Sequence, residues 1–182
     1  MKSEELIQSL IEKTRHIINQ AELLKEKEDA FLNWRERPDS WSILECLEHL
    51  NLYGDYYLPA IENAMRNSSL APVEEFKPGK LGNYFALSML PKEKLNKMKT
   101  FKDKNPLHSA LDKKTIDRFL NQQMKLLDLL DKARKANLNK IRITITISRL
   151  IKLKLGDTFH FVVNHEVRHM EQIKRVEKAF QA

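Results

Sequence analysis

Trp41-Ser42-Ile43-Leu44-Glu45-Cys46-Leu47-Glu48-His49-Leu50 opens a helix and sets its inward face. Ser42 and Glu45 have the spacing of a capping box: the hydroxyl accepts the N3 amide while the N3 carboxylate returns to the cap amide. Trp41 stands before the cap, where a hydrophobic staple residue belongs. At about 100° per residue, Cys46, Leu52, Tyr53 and Tyr56 fall on the side of the helix that carries His49. The helix is expected to run to about residue 66, with His49 pointing inward among aromatic and polar neighbours.

Three other long helices are legible around it. From residue 3 to about 33, Leu6, Ile7, Leu10, Ile11, Thr14, Ile17, Ile18, Ala21 and Leu24 recur at three- and four-residue steps, and the segment ending in Pro38 closes that pattern. Between about residues 112 and 136, Ile116, Phe119, Leu120, Gln123, Leu126, Leu127 and Leu130 form a second inward stripe. The last helix is expected to start after Gly156 with Asp157 as its N-cap and to reach about residue 179. Four such amphipathic helices read as an all-α four-helix bundle. The 182 residues suit one domain, 1–182, with a real core.

Two stretches do not fit a plain bundle. Residues 67 to 110 are interrupted by Pro72, Pro78, Gly79, Gly82, Pro91 and Pro106, with a short helix expected near Tyr84-Phe85-Ala86-Leu87. A connection of that length is a functional loop or a crossover. The stretch Ile141-Arg142-Ile143-Thr144-Ile145-Thr146-Ile147 alternates with strict period two, which is a strand signal. No second strand of equal quality follows it. It is expected as an extended segment over the bundle or as half of a small ribbon.

Composition narrows the class. Apolar residues make up 42% and charged residues 31%, too apolar for a disordered chain, and only four glycines are present. The lone cysteine, Cys46, excludes an internal disulfide. With no apolar leader or membrane-length run, a cytoplasmic protein is expected. The net charge of +7 raises nucleic acid as a partner, and Lys92, Lys94, Lys97, Lys99, Lys102 and Lys104 form a basic run. No nucleic-acid-binding motif accompanies them, so the surplus reads as solvated surface.

The chemistry lies in the histidines. In His165-Glu166-Val167-Arg168-His169 the two rings are four residues apart, about 40° around one helix face, as chelation of one metal by two imidazoles requires. Val162, Ile173, Val176 and Phe180 lie within about 40° of His169, so the pair sits in the apolar stripe. Two buried imidazoles need partners, and a shared metal satisfies both. His49 is the third inward histidine. Core histidines satisfied by packing alone would give the same pattern. His160, nine residues before His169, is assigned to the surface. The spacing is not H-E-x-x-H, so no glutamate base of the zincin kind is built in.

The segments Trp41–Leu50 and His165-Glu166-Val167-Arg168-His169-Met170-Glu171-Gln172-Ile173 resemble the two signatures of the DinB-like superfamily, in the family's order and separation. The resemblance covers essentially the whole chain. It implies an up-down-down-up bundle with the long crossover between the second and third long helices. It also implies a three-histidine site on His49, His165 and His169 for one divalent transition metal, nickel or zinc. Homodimers are common in that family, and its activities include small-thiol S-transfer and metal-dependent hydrolysis.

From these readings a metal-dependent enzyme acting on a small molecule, such as a low-molecular-weight thiol, is expected. A hydrolase and a non-catalytic metal-binding or interaction protein are the alternatives. Tyr53, Tyr56 and Gln172 are the candidate pocket residues, although the tyrosines read more readily as core aromatics with satisfied hydroxyls. Glu45 either orients His49 or only caps its helix. Cys46 reads as a small apolar core residue, with metal contact as its other role. Trp41 is expected to anchor packing, and Arg168 to make a salt bridge or to receive an anion.

Overall fold

Helix α1 (Ser3–Leu24) ends where its apolar stripe ends. The next four residues, Lys25-Glu26-Lys27-Glu28, offer nothing to bury, and the chain turns before a short helix α2 (Asp29–Leu32) drops Leu32 into the core. The sequence reading had one helix to about residue 33; the charged quartet breaks it in two. Helix α3 (Ile43–Arg66) begins as expected: Ser42 Oγ accepts the Glu45 amide at 3.2 Å and Glu45 Oε2 accepts the Ser42 amide at 2.8 Å.

The computed structural model describes residues 1–91 and 100–181, apart from the side chain of Arg149. Of the basic run, Lys92, Lys94, Lys97 and Lys99 lie outside the described residues. Lys102 and Lys104 form a single 3₁₀ turn. The long connection after α3 carries helix α4 (Lys80–Ser88) at the place expected for a short helix. Helix α5 (Lys114–Ala133) follows, with the amide of Lys114 bound by Asp112 Oδ1 at 2.9 Å.

Strands β1 (Arg142–Ile145) and β2 (Ser148–Lys154) form an antiparallel hairpin, with a register shift between Thr144 and Ile145. Of the two alternatives for the 141–147 stretch, the small ribbon is the one that forms, with a partner strand of weaker pattern than its own. The alternation of β2 is diluted by Ser148, Arg149 and two lysines, so it carries a weak signal of its own. What holds it is burial of Ile143, Ile145 and Leu153 on the face turned to the bundle. Two α3 tyrosines fix the hairpin: Tyr56 Oη donates to the Thr144 carbonyl at 3.2 Å, and Tyr57 Oη accepts the Thr146 amide at 3.2 Å.

Helix α6 (Leu155–Phe180) starts at Leu155, with Lys154 as its N-cap. Asp157 is thus in the first turn rather than at the cap, and its carboxylate accepts the amide of Gly79 at 3.0 Å. A negative charge there also suits the helix dipole. Gly82 lets α4 approach this turn, because a Cβ at that position would stand 2.3 Å from the Asp157 carboxylate.

The four long helices run up, down, down and up. Lys25 at the end of α1 meets Asp117 at the start of α5, and Arg134 beyond α5 meets Glu4, so those two helices are antiparallel. Glu48 and Asp55 pair with Arg118, and Glu62 with Lys125, so α3 and α5 are parallel. Trp41 lies against His169 and Tyr57 against Phe161, so α3 and α6 are antiparallel. Parallel neighbours need a long crossover, and the α3–α5 connection supplies it. No helix among the described residues is long and apolar enough to cross a membrane.

Candidate metal centre

The helix pair α3 and α6 brings His49, His165 and His169 together, all three buried. Their Nε2 atoms converge: His49 to His165 is 3.3 Å and His165 to His169 is 3.0 Å. Ligands about 2.1 Å from one ion stand about 3.0 Å apart at a right angle and about 3.4 Å apart at the tetrahedral angle. The histidine separations fall within that interval.

The outer nitrogens fix the tautomers. His49 Nδ1 lies 2.6 Å from the Lys104 carbonyl, which can only accept, so Nδ1 holds the proton and Nε2 carries a lone pair. His169 Nδ1 lies 3.0 Å from Gln172 Oε1, with the same result. Both lone pairs face His165 Nε2, and one N–H on that atom can serve only one of them. A cation at the centre serves all three, and outer partners of this kind are what orient metal-binding imidazoles.

Electrostatics agrees. Burial, with a smaller repulsion from Lys104, pushes the His49 pKa down to about 4. Burial, together with the neighbouring histidines and Arg168, holds His165 and His169 well below the ordinary value. All three are neutral ligands at neutral pH, so a metal need not displace protons from them.

The surroundings sort the remaining candidates. A cavity of about 620 Å³ opens over the three imidazoles, and Trp41, Tyr53, Phe161 and Gln172 are among its lining residues. Trp41 packs on both His49 and His169, with centroids 4.6 and 5.8 Å away, so the expected packing anchor is also a wall of the site. Tyr53 lies beside His49 and His165, and burial raises its phenol to about 12, which keeps it a proton donor. Tyr56 is not among the lining residues; its hydroxyl serves the hairpin. Cys46 is fully buried in the core cluster with Leu47 and Phe119, away from the three nitrogens, and burial pushes its thiol pKa up. His160 is half-buried rather than on the surface, and burial lowers its pKa. Phe180, expected in the stripe, is 45% exposed and meets Phe31 and Trp34 edge-on.

Glu45 does not touch His49. Its buried carboxylate accepts Arg35 Nε and Nη2 at 2.9 and 2.6 Å, the Ser42 amide, and the His108 amide at 2.5 Å. It thereby pins the far end of the segment whose Lys104 carbonyl orients His49. His108 has φ 65°, in the left-handed region that costs a side chain about 1 kcal/mol, which indicates how firmly this turn is held. Asn105 Oδ1 accepts Trp41 Nε1 at 3.1 Å, a further tie. Apart from the Ser42–Glu45 cap, this arrangement was not legible beforehand, because a backbone carbonyl has no residue signature and the partner of the Lys104 carbonyl is 55 residues away in sequence.

Glu166, passed over in the sequence reading except for its spacing, is buried between the helices. Its Oε1 accepts Gln123 Nε2 at 2.9 Å, while its Oε2 and Gln123 Oε1 have no partner among the described residues. Burial raises its pKa to about 8. An inward-facing Gln123 in an otherwise apolar stripe was the available hint.

The family model of the DinB superfamily matches residues 9–173. The chain belongs to the DinB superfamily. The match spans all three histidines and both segments that carried the resemblance, so this DinB chain has a histidine group that can hold a metal ion. No curated protein and no solved structure shows significant similarity to it.

Proposed function

We propose that this DinB protein is a metal-dependent enzyme that transfers the sulfur of a small thiol to an electrophile. The carrying observation is the convergence of three buried lone pairs on the floor of a cavity of about 620 Å³. Three protein ligands leave room for an exogenous one, which distinguishes a catalytic site from a closed structural one.

His49, His165 and His169 would hold the ion, nickel or zinc. A divalent metal there supplies Lewis acidity, which lowers the pKa of a thiol sulfur that reaches it. The chain's own residues do the rest. Lys104 O and Gln172 Oε1 keep the two outer imidazoles in the ligating tautomer. Trp41 and Phe161 limit water at the reacting atoms. Tyr53 stays protonated and can donate to the electrophile. The sulfur gives up its proton and forms a bond to the electrophilic atom, and the leaving group departs with its electron pair and takes up a proton. A hydrolase of the zincin kind uses a carboxylate base beside the ligands. The carboxylates in the described lining, Glu36 and Asp39, are exposed and lie near Arg37, at 3.9 and 3.3 Å. That favours thiol transfer.

The protein is proposed to act as one domain, as a homodimer, in the cytoplasm. The test is elemental analysis of protein purified without chelator or metal-affinity resin, beside a His165→Ala/His169→Ala variant. About one equivalent in the wild type, lost in the variant, is expected and opens a screen of thiols with electrophiles. Metal in neither, even after nickel or zinc is added, ends the enzyme reading. Metal without turnover of any pair leaves a non-catalytic metal-binding protein.

A further inference from the structure

The β1–β2 hairpin is the element a four-helix bundle does not need, and its tip stands at the candidate metal centre. Ile147 at the tip lines the cavity over the histidines. Thr146 before it is half-buried and meets two tyrosines of α3. Tyr53 and Tyr57 are four residues apart on one face of that helix, their rings stacked with centroids 6.2 Å apart. Tyr53 belongs to the cavity, its ring 4.9 Å from His49 and 4.7 Å from His165. Tyr57 is fully buried.

Counting protons gives these contacts a direction. The Tyr57 oxygen accepts the Thr146 amide at 3.2 Å, since an amide N–H can only donate. Tyr57 Oη also lies 3.3 Å from Thr146 Oγ1. A buried hydroxyl proton needs an acceptor, and Thr146 Oγ1 is the acceptor beside it. The Thr146 hydroxyl also reaches the Tyr53 phenol. Were both tyrosines to donate to Oγ1, the Thr146 proton would lack an acceptor among the described residues. With Tyr57 donating, Thr146 gives its own proton to the Tyr53 oxygen, and the Tyr53 proton is left for the cavity. Hydroxyls in line polarise one another towards the last. Lys104 Nζ, held by the Leu52 carbonyl at 3.0 Å, lies 5.9 Å over the Tyr53 ring and helps to keep it in place.

We infer that Thr146 is a positioning residue: its hydroxyl, itself held by Tyr57, sets the Tyr53 phenol so that the Tyr53 O–H is presented to an acceptor atom of the molecule bound over His49, His165 and His169. The hairpin is then the part of this chain that equips the cavity with a directed donor. The direction of the relay rests on the protein alone; its use on a ligand rests on the proposed metal site.

Two measurements keep these apart. In metal-free protein labelled with carbon-13 at tyrosine Cζ, the Tyr53 resonance is the one absent from Tyr53→Phe. Thr146→Val keeps the side-chain shape and removes the hydroxyl. It is expected to move the Tyr53 and Tyr57 resonances and leave that of Tyr84 in place, and Thr146→Ser to restore them. In protein loaded with cobalt, a coloured substitute for zinc, azide binding is followed by visible absorption. Azide is expected to bind Tyr53→Phe and Thr146→Val about tenfold more weakly than the wild type, and Thr146→Ser within about twofold. Cobalt affinity is expected to be the same in all of them. Tyr53→Phe/Thr146→Val should bind azide no more weakly than Tyr53→Phe, because Thr146 acts through Tyr53. If Thr146→Val does not fold, Tyr57→Phe removes the first hydroxyl of the line in its place and should weaken azide about threefold.

A Tyr53 resonance indifferent to Thr146→Val overturns the inference. So does azide affinity that is equal in the wild type and Tyr53→Phe, or that Thr146→Val lowers alike with and without the Tyr53 hydroxyl. A wild type that takes up no cobalt, while Thr146→Val still moves the Tyr53 resonance, refutes the metal reading and supports the relay.

Discussion

Replacing Glu166 with Gln isolates the cost of a buried acid, because glutamine keeps the size and stays neutral at every pH. Burial raises the Glu166 pKa from the ordinary 4.5 to about 8, against a smaller opposing effect of the Gln123 amide. The folded protein therefore holds a proton that the unfolded chain gives up between pH 4.5 and 8. The folded state binds more protons in that window, so wild-type stability falls as pH rises through it, relative to the variant. The slope is about 1.4 kcal/mol per pH unit, which gives about 3–4 kcal/mol between pH 5 and pH 8. With an m-value of about 2 kcal/mol/M, the gap between the two urea midpoints widens by about 2 M. The histidines titrate in the same window but are present in both proteins, so they cancel in the difference. Urea unfolding of both proteins in chelator at pH 5, 6, 7 and 8 reads it. A gap that stays constant within about 0.5 kcal/mol from pH 5 to pH 8 would refute the reasoning and mean that water or a neighbouring donor supports the ionised carboxylate.

Three further outcomes follow from the same geometry. Glu45→Ala strands Arg35 and two backbone amides, and should cost about 3–5 kcal/mol and lower Tm by about 10 °C, with Glu45→Gln milder; a loss under about 1 kcal/mol in thermal melts would contradict the role given to this carboxylate. Because the three imidazoles have depressed pKa values, zinc affinity should change less than about twofold between pH 8 and pH 6. Three ordinary histidines would lose about 70-fold, and competition with a chromophoric chelator distinguishes the two. Cys46, fully buried with a raised pKa, should resist alkylation in the native protein and react at once in denaturant, as mass spectrometry of iodoacetamide-treated samples would show.

Much of this protein follows from local chemistry that a sequence carries directly. Periodic apolar stripes specify the four long helices, and the Ser42–Glu45 capping box forms as its spacing requires. His165 and His169 share a face because four residues make about one turn, whatever surrounds them. That they point inward follows from the stripe they interrupt, and His49 from its own. Boundaries were less legible where competition was tertiary. Lys154 rather than Asp157 caps α6, because the Asp157 carboxylate is taken by Gly79, 78 residues away. The strand β2 exists because it pairs with β1 and sets Leu153 against the bundle, which its own lysine-rich alternation does not announce.

Tertiary structure alone decided the rest of the site. It set Nε2 atoms from residues 116 positions apart at 3.3 Å, and placed the Lys104 carbonyl where it dictates the His49 tautomer. It turned Glu45 towards Arg35 and His108 instead of His49, sent Tyr56 to the hairpin, and left Tyr53 at the cavity. The physical reason is that helix periodicity determines a side chain's direction around its own axis. Which atom waits in that direction depends on how the helices pack, and on backbone groups that every residue carries alike.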